Sequence, residues 1–138
     1  MSKDETFEKI LTSPVSASMR KKPVAVSPLE PVSSLIYMMI KENIGAVVVI
    51  EKGKPVGIIT EKDILERVVT PLMDVYKTLA KDVMSKPVIS IEASESIKEA
   101  LRLMKKNKIR RLAVTENESL IGLITERRLL ASICNLIV

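Results

Sequence analysis

An α+β (α/β-like) fold, two β-α-β-β-α repeats packed through their sheets about an approximate two-fold axis, is predicted by three observations. The stretch Gly57–Ile64, GIITEKDI, returns 65 residues later as Gly122–Leu129, GLITERRL. The apolar spacing around each copy alternates between helical and extended periods in the same order. A unit of about 60 residues buries too little surface to be comfortable alone, whereas two such units sharing a core reach the size of an ordinary domain.

Residues 1–14 read as an N-terminal arm: a polar start, then a short helix containing Phe7, Ile10 and Leu11, ended by Pro14. It is either disordered or packed on the body. The first repeat spans 15–75. Pro23–Val26 is extended, Ser27, Pro28 and Pro31 form a turn, and Pro31 is placed at the first position of a helix. Val32, Leu35, Ile36, Met39 and Ile40 follow helical spacing, and Asn43–Gly45 carry its stop signal. Ala46–Ile50 is a β-branched buried strand, Glu51–Lys54 a turn with Gly53, and Pro55–Ile59 the returning strand. Thr60 then caps a helix carrying Ile64, Leu65, Val68 and Val69.

Pro71 interrupts that helix, and a linking helix with Leu72, Val75 and Leu79 is expected next. The second repeat, 76–138, follows at the same offset: Met84 matches Met19, Ile91 matches Val26, Ile97 matches Val32 and Met104 matches Met39. Ser94, Ser96 and Glu99 supply helix-start signals. Leu112–Thr115 and Leu120–Ile124 form the second hairpin. Met38, Met39 and Met104 are assigned to core packing.

Composition removes several function classes. There is no His and a single Cys, Cys134, so a His-based triad and a His/Cys zinc site are excluded within one chain. Cys134 lies in an apolar run and is read as a small buried hydrophobe. Aromatics make up 2% of the chain, with no Trp, which argues against base stacking on nucleic acid. No apolar stretch reaches the roughly 18 residues of a membrane span, and no secretory signal is seen, so a cytoplasmic protein is expected. The net charge of +5 is sufficiently explained by solubility.

The repeated motif joins a strand end to a helix start. Thr60 with Asp63 reads as a capping box of the Thr-x-x-acid form. Arg128 stands at the Asp63 position in the second copy. A purely structural device should recur in both halves, so the difference points to something asymmetric being bound.

With these residues in place, the chain from about Val15 to Asn135 resembles a tandem pair of CBS domains, a Bateman module, standing alone without a catalytic domain. The resemblance implies regulatory binding of an adenosine-containing ligand in the cleft between the repeats: AMP, ADP or ATP first, with S-adenosylmethionine and NAD as alternatives. It implies ribose recognition by Thr60 and Asp63, and adenine between Ile58 or Ile59 and the segment Val88, Ile89 and Ser90. Phosphates would face Arg110, Arg111, Arg127 and Arg128, since guanidinium suits bidentate phosphate binding. The partner cleft has Thr125 with Arg128 in place of an acid, and uncharged Gly45 and Ala46 at its phosphate-facing positions, so one strong site per chain is expected.

Neither catalytic residues nor metal ligands are assigned. The only adjacent acids at the motif, Glu61 and Asp63, make an enzyme a poor reading. A homodimer through the helices starting at Thr60 and Thr125 is expected, acting on an unidentified regulated protein. The alternative is a nucleic-acid-binding or scaffold protein using basic residues such as Arg20, Lys21, Lys22, Lys105, Lys106 and Lys108; such binding should weaken steeply with salt.

Overall fold

A computed structural model describes residues 3–137, with side chains from 5 to 135. The chain forms two compact units: Pro23–Val88, and Met1–Lys22 together with Ile89–Val138. These boundaries differ from those of the sequence repeats. The opening segment of each repeat belongs to the unit built on the other repeat.

In the unit Pro23–Val88 a three-stranded sheet has the order β2-β3-β4, where β2 is Ala25–Val26, β3 is Ala46–Glu51 and β4 is Lys54–Thr60. β2 runs parallel to β3, and β3 antiparallel to β4. Ser85 adds a single antiparallel bridge to Ile58 on the free edge of β4. The hairpin turn uses Lys52 (φ 53°) and Gly53 (φ 80°), the left-handed pair that matches strand twist. Register shifts between Val49 and Ile50, opposite Pro55, where a residue without an N–H is tolerated.

Helix α2, Val32–Lys41, buries Val32, Leu35 and Met39, the residues its spacing selected. Pro31 is its N-cap (φ −69°, ψ 146°), one position earlier than expected. Ile40, grouped with that apolar face, is 79% exposed. The core joins α2 to Val47, Val49, Ile59, Ile64, Val68, Ala80 and Val83, with Met38 partly buried against it. Burying each of the valine, leucine, isoleucine and methionine side chains contributes about 1.5–3 kcal/mol.

Helix α3, Glu61–Ile64, continues as one π-helical turn over Leu65–Val69, closed by Thr70 N–H donating to the Leu65 carbonyl. The expected linking helix is absent. Leu72 takes a left-handed conformation (φ 61°), Asp74 accepts from the Tyr76 N–H through a short turn, and only Ala80–Val83, α4, is helical. Leu72 is 89% exposed and so supplies no apolar face to hold a helix there.

The second unit repeats the plan. Its sheet has the order β1-β7-β6-β5: Arg20–Lys21, Ser119–Thr125, Arg111–Glu116 and Ser90–Glu92. Every strand pairing of the first unit recurs here shifted by 65: Ser90 opposite Ala113 repeats Ala25 opposite Val48, and Arg111 opposite Thr125 repeats Ala46 opposite Thr60. Helix α5, Ile97–Asn107, is capped by Ser96, whose hydroxyl accepts the Glu99 N–H at 3.1 Å. Met104 is buried in this unit's core, as Met39 is in the other.

The N-terminal stretch is a helix, α1, Lys3–Thr12, with Ile10 packed against this unit's core. Helix α6, Glu126–Ile137, closes the chain and buries Leu129. Cys134 on it is exposed, contrary to the buried position expected from its apolar neighbours. The apolar run around it is the amphipathic face of a surface helix, and Cys134 falls on the outer side.

Candidate functional site

The conserved geometry of the two units places the motif residues where a strand becomes a helix. In the first, the Glu61 N–H donates to the Gly45 carbonyl at 3.1 Å, which fixes the start of α3 against the start of β3. Thr60 Oγ1 accepts the Asp63 N–H at 3.2 Å, and Asp63 Oδ2 accepts the Thr60 N–H at 2.8 Å and the Thr60 hydroxyl at 3.0 Å. The capping box is therefore complete, with Asp63 only 9% exposed.

That arrangement engages one carboxylate oxygen fully. The other, Oδ1, has longer contacts only: the Ser85 hydroxyl at 3.4 Å and Arg67 Nη2 at 3.6 Å. A carboxylate offers about four acceptor sites. Asp63 thus closes its own helix while Oδ1 keeps acceptor capacity. Sequence reading named neither Ser85 nor Arg67; Arg67, four residues after Asp63 on one helical face, was the available signal.

Of the two isoleucines, Ile59 is fully buried in its own unit's core, and Ile58, on the opposite face of the pleat, is half-buried. Only Ile58 is open to a ligand. Val88 ends this unit, while Ile89 and Ser90 begin the next stretch of the other; Ser90 is exposed and Ile89 partly buried.

The four arginines all belong to the second unit and meet at one corner of it. Arg111 opens β6 opposite Thr125, the last residue of β7, and the Arg110 carbonyl accepts the Glu126 N–H at 3.1 Å. Arg127 and Arg128 follow on the first turn of α6. Arg110 and Arg127 are exposed and Arg111 is half-buried. Arg128 is committed elsewhere: its Nε donates to the Ser18 carbonyl at 2.9 Å and its Nη2 to the Met19 carbonyl at 3.2 Å. Two of its five N–H groups are used in this way.

No group of His, Cys, Asp or Glu among the described residues could hold a metal, and no helix among them is long and apolar enough to cross a membrane.

An uncharacterized protein of Methanopyrus kandleri is 38% identical over 113 residues, which cover 80% of this chain and 58% of the relative. The chain thus spans little more than half of that protein. The CBS domain-containing protein YhcV of Bacillus subtilis is 30% identical over 112 residues, 81% of this chain and 79% of that one. The inosine-5'-monophosphate dehydrogenase of Methanocaldococcus jannaschii is 37% identical over 112 residues, 80% of this chain but only 21% of the enzyme.

Among solved structures, an uncharacterized conserved protein of Pyrococcus horikoshii superposes with a TM-score of 0.80 at 27% identity, covering 89% of this chain and 93% of that one. AcuB of Vibrio cholerae superposes with a TM-score of 0.82 at 25% identity, covering 92% and 96%. With the CBS domain matched at residues 15–70 and again at 80–135, and the fold and its 65-residue register agreeing, the chain belongs to the CBS-domain family and carries a tandem pair.

Proposed function

We propose that this CBS pair is a non-enzymatic sensor that binds an adenosine-containing ligand, AMP, ADP or ATP, with its sugar on Asp63 and Thr60 and its phosphates on the arginines. The observation that carries the reading is the state of Asp63. One oxygen is saturated by the cap, which holds the carboxylate rigid, and Oδ1 is left with contacts of 3.4 and 3.6 Å that a sugar hydroxyl improves on. Arg110, Arg111 and Arg127 supply forked donors suited to phosphate oxygens. The match to a small part of a dehydrogenase fits a module whose role is regulatory rather than catalytic.

Calorimetric titration of the full chain with AMP tests the reading. About one equivalent should bind, and Asp63→Ala together with Arg127→Ala should lose less than the sum of the single effects if one ligand engages both groups. Absence of binding by AMP, ADP and ATP alike would remove the proposal.

In this reading the sensor acts as a homodimer. The equivalent helix positions Leu65 and Leu130 are both exposed, at 57% and 66%, as is Val69 at 47%. Sedimentation of the purified chain should give twice the monomer mass, and a monomer at micromolar concentration would count against the dimer.

A further inference from the structure

Matching positions of the two units solve one structural task with different residues. In the first unit the Val83 carbonyl accepts from Arg67 Nη1 at 2.7 Å. Its counterpart 65 residues earlier, the Ser18 carbonyl, accepts from Arg128 Nε at 2.9 Å. Both bonds tie the segment before the edge strand to the helix after the motif. The guanidinium comes from different turns, however. Arg67 stands one turn beyond Asp63, whereas Arg128 stands at the Asp63 position itself. The residue one turn beyond Arg128 is Ser132, whose Oγ lies 3.0 Å from Ser18 Oγ and 3.1 Å from the Arg128 carbonyl.

The consequence is a division of labour at positions 63 and 67 that 128 and 132 lack. Because Arg67 holds the carbonyl, Asp63 is left to serve as an acceptor. In the second unit Thr125 still caps, accepting the Arg128 N–H at 3.1 Å. The side chain that follows is a donor occupied with backbone carbonyls. Ser85, which donates to Asp63 Oδ1, is matched by Arg20, a second cation. A sugar diol meets no carboxylate here, only the Thr125 hydroxyl, which already accepts the Arg128 N–H.

We propose that Arg128 is a specificity-determining residue: it tethers the opening segment in place of a one-turn-later arginine, and by doing so closes the second unit's Thr125 position to a ribose. This rests on the sugar role given above to Asp63. The pair Arg128 and Ser132, rather than Arg128 alone, then decides which unit can take a nucleoside.

Adenosine, which carries the sugar and no phosphate, is the probe, counted by equilibrium dialysis against wild type, R128D and the double variant R128D/S132R. Wild type should bind one equivalent. R128D should melt several degrees lower because the Ser18 and Met19 carbonyls lose their donor. R128D/S132R should regain that melting temperature and bind two equivalents. A double variant that melts no higher than R128D overturns the tether exchange, and one that recovers but still binds one equivalent overturns the exclusion role. Two equivalents on wild type also overturn it. No binding to wild type with one equivalent on the double variant would uphold the inference and remove the sugar role of Asp63; no binding to either would remove both.

Discussion

Met84 lies directly over Gly57, so that a Cβ on that glycine would come within 2.8 Å of Met84 Cγ and 2.9 Å of its Cβ. Met19 covers Gly122 in the same way, with the Arg20 carbonyl oxygen 3.1 Å from the same point. The first residue of each motif is thus explained by close approach of another segment. Gly57→Ala and Gly122→Ala should each destabilise the chain by about 1–3 kcal/mol, the usual cost of overpacking. Urea denaturation checks this. Met19→Ala combined with Gly122→Ala should cost less than the sum of the two, since the methionine then vacates the space; additive losses would refute the packing account.

Asp63 has a structural and a proposed binding task, and substitution separates them. Asp63→Ala removes the carboxylate half of the capping box, which should cost about 0.5–2 kcal/mol of stability. It should also weaken AMP by about 1.5–3 kcal/mol, the range for a hydrogen bond to a charged group. Thr60→Ser keeps a hydroxyl at the cap and should preserve both properties. Full AMP affinity in a folded Asp63→Ala chain would assign the residue to the cap alone.

The arginine corner should act on phosphate rather than on nucleoside. Arg110→Ala, Arg111→Ala or Arg127→Ala should each reduce AMP affinity by about 10- to 100-fold while changing adenosine affinity little, because only the charged end is touched. Isothermal titration with the two ligands side by side decides it. Equal losses for both ligands would mean that the arginines shape the unit rather than meet a phosphate.

Much of this was legible in the sequence because the two halves check one another. The 65-residue offset fixed strands, hairpins and helices together, and every strand pairing of the first unit recurs at that offset in the second. The linking helix failed because Leu72, Val75 and Leu79 have helical spacing but share no packed face: Val75 rests on the core and Leu72 does not. Leu72 is 89% exposed, while the chain there follows short turns. The family resemblance makes Arg128, which replaces the motif's acid, a phosphate-facing residue. Nothing in a linear pattern tells that its guanidinium meets carbonyls 109 and 110 residues earlier. The place of each opening segment in the other repeat's unit was hidden for the same reason: a two-residue strand such as Arg20–Lys21 carries too little pattern to announce its partner.

Helix α5 carries a surface pair with a defined titration. Arg102 donates to Glu99 through Nε at 2.8 Å and Nη2 at 2.6 Å, and this hydrogen bonding holds the Glu99 carboxyl below its ordinary value. A carboxylate depressed in the folded state contributes stability that is present above its unfolded value and is lost as pH falls through the folded one. The Glu99 carboxyl resonance followed by NMR should titrate at lower pH than an isolated glutamate, and Arg102→Ala should move it upward. An unchanged midpoint would show that the pair does not persist in solution.

Helices α2 and α5 end in the same way, with one residue in the left-handed region: Asn43 (φ 52°) after α2 and Lys108 (φ 53°) after α5. In each, the next residue's N–H reaches back to the helix, Ile44 to the Met39 carbonyl and Ile109 to the Met104 carbonyl, both at 3.0 Å. This is the Schellman pattern, in which glycine or asparagine is favoured at the left-handed position. Asn43 satisfies that preference, because a short polar side chain can hydrogen-bond locally, and Lys108 does not, so there the roughly 1–2 kcal/mol cost of the left-handed backbone is uncompensated. Lys108→Gly should therefore raise stability by about 0.5–1 kcal/mol, the glycine's larger unfolded-state entropy offsetting part of the relief. Asn43→Lys should lower it by a similar amount. Chemical denaturation of both variants tests the ending, and a destabilised Lys108→Gly chain would mean that the lysine side chain makes a contribution larger than its backbone strain.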